Sequence, residues 1–327
     1  MLSRVADSLY WMSRYIERAE NNARLAEVNL QFLLDLANQR NPDPHQQWNP
    51  VISSLEENEL FAKLYDKPDG NAAIDFVSLQ KKNPNSIYSC LSSARENART
   101  TREQISSEMW EQLNRLYLFV KSDSAKKLLH SSPYEFFKRI ITGSHLFQGI
   151  THATMTHGEG WFFIRIGKLI ERADCTSRIL DVKYHILLPS GERIGGNLDT
   201  IQWMSVLKSC SALEAYRKIH VTQVVPWKVA EFIITHPGFP RSIRYCVDFL
   251  DEALHCISGS SESRYANEAE RLSGQLRSDL DYATIGEIFK HGLHQYLERT
   301  QERLVEISDA MHATYCASEL ADSSTTD

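Results

Sequence analysis

Arg14-Tyr15-Ile16-Glu17-Arg18-Ala19-Glu20-Asn21-Asn22-Ala23-Arg24 returns 154 positions later as Lys168-Leu169-Ile170-Glu171-Arg172-Ala173-Asp174-Cys175-Thr176-Ser177-Arg178. Isoleucine, glutamate, arginine, alanine and the trailing arginine are identical, and the acidic residue after alanine keeps its charge. Other pairs follow in the same order. Gln47-Trp48, Val51, Glu59 and Phe61 match Gln202-Trp203, Val206, Glu214 and Tyr216. Asp75-Phe76-Val77 matches Glu231-Phe232-Ile233, and Pro84, Ser86-Ile87 and Cys90 match Pro240, Ser242-Ile243 and Cys246. The offset stays between 154 and 156 throughout, so the chain reads as a tandem duplication of a unit about half its length. One helical unit is expected over residues 1–155, a second over 156–317, and a polar, disordered tail over 318–327.

The period of the apolar residues sets the secondary structure. Leu2, Val5, Leu9, Met12, Ile16, Ala19, Ala23, Ala26, Leu30 and Leu33 repeat with helical spacing over 2–38, a stretch with neither Pro nor Gly. One helix of roughly 55 Å follows. Asn41-Pro42-Asp43-Pro44 should stop it, and the second copy should run over 159–187 and end at Pro189-Ser190-Gly191. Further long helices are expected over 86–121 and 284–316, and shorter ones over 51–65, 72–82, 133–155, 200–218, 222–235, 241–258 and 263–280. Lys67-Pro68-Asp69-Gly70, Asn83-Pro84-Asn85 and His236-Pro237-Gly238 separate them as turns. Only Gly191 to Gly196 invites a small hairpin. The fold class is all-α: two tandem, pseudo-twofold-related helical units forming one compact bundle. In it, helices 2–38 and 159–187 lie together with Glu17 and Glu171 near the shared axis.

Composition narrows the function classes. A chain of 327 residues has room for a large core. A net charge of -6 and a pI near 6.1 give no general attraction to nucleic acid or anionic membrane. Residues 140–158 lack Asp, Glu, Lys and Arg, but Thr, Ser, Gln, Gly and three His make them a poor membrane span. The six cysteines form no CxxC pair, and Cys90 and Cys246 fall at matching positions beside apolar residues. Reduced thiols and a cytoplasmic location are expected.

The repeated motif carries the chemistry. Arg14, Glu17, Asn21 and Arg24 share one stripe of the first helix; Lys168, Glu171, Cys175 and Arg178 share one stripe of the second. Arg18 and Arg172 project about 100° away from their glutamates and border the apolar face. Charges there need partners. One reading is a structural network in which each helix supplies Glu and Arg to the other. The other is a cleft in which Arg14, Arg18, Arg24, Lys168, Arg172 and Arg178 meet a carboxylate or phosphate while Glu17, Glu20, Glu171 and Asp174 hold them. Arg95, Arg99 and Arg102 read first as a solvated helix face, and second as extra charge for the same cleft. His145, His152 and His157 with Glu159 match no tight metal pattern, and no Gly-rich phosphate loop, GxSxG or Cys–His signature occurs. No cofactor, metal or catalytic residue is assigned.

The opening Met1-Leu2-Ser3-Arg4-Val5-Ala6-Asp7-Ser8-Leu9-Tyr10-Trp11-Met12, running into Tyr15-Ile16-Glu17-Arg18-Ala19-Glu20-Asn21, resembles the bacterial alpha-E domain family. So do Ser86-Ile87 with Ala94 to Arg99, Glu108-Met109-Trp110-Glu111, Gly160-Trp161 with Ile170 to Asp174, and Phe239-Pro240-Arg241-Ser242. Phe162 departs from the pattern, where a basic residue is expected after the tryptophan. The resemblance implies partnership with a circularly permuted ATP-grasp ligase and a transglutaminase-like peptidase, sometimes near a proteasome-like protease. Such systems are read as synthesising or tagging peptides. An accessory, non-catalytic partner of the ligase is therefore expected, binding an acidic peptide or amino acid. The rivals are an enzyme using Glu17 or Glu171 as general acid/base, and a purely structural oligomeric scaffold.

Overall fold

The computed structural model describes residues 1–37, 48–66, 69–187, 197–221, 224–261 and 264–317. Every described element is helical. α1 (Ser3–Ala37) is unbroken, as a run without Pro or Gly should be. α2 (Asn49–Ser54) and α3 (Asn58–Leu64) divide the expected helix 51–65, because Glu56 turns left-handed with φ 59°. α4 (Gly70–Ser78) starts where the Asp69 side chain accepts from the Ala72 amide, and α5 (Ile87–Thr100) where Ser86 accepts from Ser89.

The expected helix 86–121 also divides. Thr100 and Thr101 turn their hydroxyls onto the Asn97 carbonyl, and Ser106 caps a new start, α6 (Ser107–Lys121), by accepting from Met109. Side-chain hydroxyls that compete for helical backbone favour such a break. α7 (Asp123–Ser131), absent from the periodicity reading, begins at the Ser122 cap and leads into α8 (Pro133–Thr154). α9 (Glu159–Leu187) is the second long motif helix.

In the second half α10 (Asn197–Ser209) and α11 (Leu213–Ile219) divide the helix expected over 200–218, at Ser211 with φ 52°. α12 (Pro226–Thr235), α13 (Ile243–Ser258) and α14 (Glu268–Tyr282) follow. Gly292, at φ 100°, breaks the last expected helix into α15 (Ile285–His291) and α16 (Leu293–Met311). The end widens into a π-helical turn, His312–Cys316. The stop at Asn41 to Pro44, the Gly191 to Gly196 hairpin, the Pro189-Ser190-Gly191 terminator and the tail from Ser318 lie outside the described residues.

Several local backbone features recur at the sequence offset. Glu56 and Ser211, 155 positions apart, are the only non-glycine residues with positive φ among those described. Ser242 caps α13 as Ser86 caps α5, and the Cys90 and Cys246 thiols point at the carbonyls of Pro84 and Pro240. Trp48 and Trp203 are both buried.

α1 and α9 pack against each other at the centre, with α5 and α8 on α1 and α13 and α16 on α9. α1 and α9 come close at Gly167, where an added Cβ would lie 2.4 Å from the Tyr10 carbonyl oxygen. No described helix is long and apolar enough to cross a membrane.

Candidate functional site

The Glu–Arg motifs face each other across the α1–α9 contact and exchange partners. On one side Glu17, fully buried, receives a two-pronged bond from Arg172: Nε to Oε1 at 2.7 Å and Nη2 to Oε2 at 3.1 Å. Gln148 of α8 donates to the same carboxylate at 2.7 Å, and Arg241 approaches it at 3.2 Å. Arg241 also reaches Glu20 and donates to Asn21 Oδ1 at 2.8 Å, while Arg24 joins Glu20 from the same helix. His145 lies 3.2 Å from Arg24; burial, then Arg24 and Arg241, push its imidazole down to about 4. At neutral pH it stays uncharged and accepts from Arg24. This half of the constellation is a buried lattice that reaches the surface at His145, and within it Asn21 Nδ2 and Arg24 Nε have no hydrogen-bond partner.

On the other side Glu171 receives Arg18 through Nε at 2.5 Å and Nη2 at 2.9 Å, and Arg14 through Nε at 2.8 Å. Arg14 also donates to the Tyr10 hydroxyl at 3.0 Å and lies 5.1 Å from the Trp11 ring centre. Arg18 donates to Asn85 at 2.8 Å, and Asn85 is braced by Asn22 and Glu57. One turn on, Arg178 donates to Asp174 Oδ2 at 2.9 Å and pairs with Glu56. These groups line an open cleft of about 500 Å³, closed opposite by Leu304, Val305, Ser308, Asp309 and His312 of the C-terminal elements. Asp174 Oδ1 is buried without a hydrogen-bond partner, and burial raises its carboxyl above the usual range.

Burial alone would raise both motif glutamates. The guanidiniums, Arg172 and Arg241 for Glu17 and Arg18 and Arg14 for Glu171, outweigh it and hold both near 2. A carboxylate held below its ordinary 4.5 stabilises the fold fully above that pH, and the contribution disappears as pH falls toward 2. Asp174 acts with the opposite sign, since its raised value makes its ionisation cost stability, but it is one group against two. Far-ultraviolet circular dichroism should show acid unfolding between about pH 4.5 and 2, with a shallower dependence in Glu17→Gln. Equal acid sensitivity in that variant would show that the pairing does not control it.

Of the residues singled out in the sequence, Glu17, Glu20, Arg24 and Arg172 belong to the buried lattice; Arg14, Arg18, Glu171, Asp174 and Arg178 line the cleft. Lys168 does neither. It lines a pocket of about 50 Å³ with Gln148, Thr151 and Arg165, and burial, then Arg172, lower it to about 8. Arg95 and Arg99 do not line the cleft. Arg95 donates to Asn114 and Glu96, stacks near Trp110 and Tyr117, and Arg99 pairs with Glu96 on an exposed face. His145 is separated from His152 and His157, which group with Trp161. The sequence reading gives Arg241 and Asn85 no role in the site, although a signal exists: each sits between Pro and Ser at matching positions of the repeat. Gln148 and His312 carry no such signal.

A family model named Alpha-E, described as a predicted alpha-helical domain with a conserved ER motif, matches residues 1–316. Uncharacterized proteins of Mycobacterium bovis and Mycobacterium tuberculosis are 25% identical over 340 residues, which covers 96% of this chain. The chain spans 37% of the length of these relatives. No solved structure matches.

Proposed function

Since the chain belongs to the Alpha-E family, we propose that it is a non-catalytic partner of an ATP-grasp amide ligase in a peptide-synthesis or peptide-tagging system. Its cleft over Glu171 holds a carboxylate-bearing amino acid or acidic peptide. The observation that carries this reading is the unequal fate of two similar motifs: Glu17 is fully enclosed, whereas Glu171 and its arginines line an open cleft of about 500 Å³. Each guanidinium has five N–H donors in a fixed fork. Arg14 and Arg18 therefore keep donors beyond those given to Glu171, Tyr10 and Asn85. The Asp174 side chain, which lines the same cleft, is complementary to an ammonium group. A ligand with both groups places its carboxylate along the arginines and its amine on Asp174.

The relatives' greater length supports a module that works beside other sequence. A transglutaminase-like peptidase would act in the same system on the peptide. The enzymatic alternative requires Glu17 or Glu171 to exchange protons near neutral pH, whereas both are held ionised far below it.

Calorimetric titration with glutamate and a diglutamate peptide, beside co-purification with an ATP-grasp ligase, tests the reading. Saturable binding is expected, with affinity falling at least about tenfold in Arg18→Met, the loss of one charge-assisted contact. Binding unchanged in that variant, or no binding and no ligase association, would overturn it.

A further inference from the structure

Where the C-terminal turn meets the start of α1, three side chains of different donor type converge. Asp7 comes from α1, and His312 and Cys316 come from the π-helical turn; their ligand atoms all lie within 4.8 Å of one another. None of the three belongs to the Glu–Arg motifs. We propose that Asp7, His312 and Cys316 bind a divalent transition-metal ion, zinc by preference, at the rim of the cleft. This goes beyond the cleft reading and does not depend on it.

The orientation of the imidazole is the first argument. His312 Nδ1 meets the Ser308 carbonyl at 2.8 Å, and Nε2 meets Asp7 Oδ1 at 3.0 Å. A neutral imidazole carries one N–H and cannot serve two oxygen acceptors. With the N–H on Nδ1, the Nε2 lone pair faces Asp7, and a metal shared between them fits that geometry. A backbone carbonyl on the other nitrogen is the usual outer support of a metal-bound histidine. The ring is held further by the edge of Tyr10, 4.9 Å between centres, and Tyr10 is itself bonded to Ser308 at 2.7 Å.

The backbone gives the second argument. His312–Cys316 is π-helical, with the Ala317 amide bonded to the His312 carbonyl at 2.9 Å. A turn of this kind is an ordinary way for a helix to end, and its bearing here is positional. Here the turn ends the helix that closes the cleft, and it carries two of the three donors.

The donor set gives the third. Thiolate, imidazole and carboxylate together suit zinc and discriminate against magnesium and calcium, which prefer oxygen alone. Three protein ligands leave a fourth position for water or ligand. His312 also lines the cleft. On binding, the Cys316 thiol gives its proton to solvent as the metal–sulfur bond forms.

The test is titration of the chelator-stripped full chain with zinc, and with cobalt(II) as a spectroscopic probe. Stoichiometric zinc and a near-ultraviolet thiolate-to-cobalt charge-transfer band are expected. Cys316→Ser should abolish the band, and Cys316→Ser and Asp7→Asn should each weaken zinc by at least about tenfold. Cys256→Ser, which alters an exposed thiol, should retain both. No saturable zinc, or a band that survives Cys316→Ser, would overturn the proposal and leave His312 and Asp7 as an ion pair only. Folding of each variant is checked by circular dichroism, and ligand titration of the cleft is scored separately.

Discussion

Arg172→Met lowers stability by about 3–5 kcal/mol, the range for breaking a buried pair on one side. In a chain of this size that is a drop in melting temperature on the order of 5–10 °C. The cause is Glu17, which has no exposed surface and loses both bonds of its bidentate partner. Arg241 stays 3.2 Å from Glu17 and offsets part of the loss, but it is shared with Glu20 and Asn21 and cannot supply a second two-pronged bond. Gln148 remains as a neutral donor. Adding Glu17→Gln to Arg172→Met should recover part of the loss, since the orphan is then no longer a charge. Arg18→Met should cost less, because Arg18 is about one quarter exposed at the cleft and water can solvate what it leaves. Thermal melts of the four proteins decide it. A loss as large in Arg18→Met as in Arg172→Met would mean that the cleft half is also structural.

That contrast shows where sequence reading stops. α1 and α9 are legible because a long period without Pro or Gly leaves the helix no local competitor. The exchange of Glu and Arg between copies is legible because a charge bordering an apolar stripe must find a partner, and the other copy offers one. Which motif stays open is not legible. It depends on Gln148 of α8 reaching Glu17, while the end of α16 leaves space over Glu171. Both are packing outcomes between segments more than 100 residues apart, and no local pattern encodes them.

The breaks were hidden for a different reason. Glu56 and Ser211 adopt left-handed backbone that glycine or asparagine would have announced. At 100–106 the break rests on threonine and serine hydroxyls that also occur inside helices. Arg95, Arg99 and Arg102 form the opposite case. Their spacing matches a shared stripe, yet Arg95 and Arg102 turn to Trp110, Tyr117 and Asn114 while Arg99 pairs with Glu96 on an exposed face, and none lines the cleft.

Gly167→Ala has the other large expected effect, and its sign runs against helix propensity. Alanine in an exposed helix interior gains about 0.8–1 kcal/mol over glycine. Gly149, on an exposed stretch of α8 with open space around its missing Cβ, should show that gain on replacement by alanine. At Gly167 the new Cβ would stand 2.4 Å from the Tyr10 carbonyl oxygen and 3.1 Å from its carbon. Those are main-chain atoms of α1, so no rotamer change relieves the clash and the helices must separate. Overpacking of this kind costs about 1–3 kcal/mol even where side chains can yield. Here separation also stretches the Arg18–Glu171 and Arg172–Glu17 bonds, which span the same contact and were set by its closeness. A net loss of more than about 2 kcal/mol is therefore expected at Gly167, against a small gain at Gly149. A neutral or stabilising Gly167→Ala in a chemical-denaturation comparison would mean that the two motif helices are not pressed backbone to backbone, and that the geometry of both Glu–Arg exchanges is looser than the distances given above.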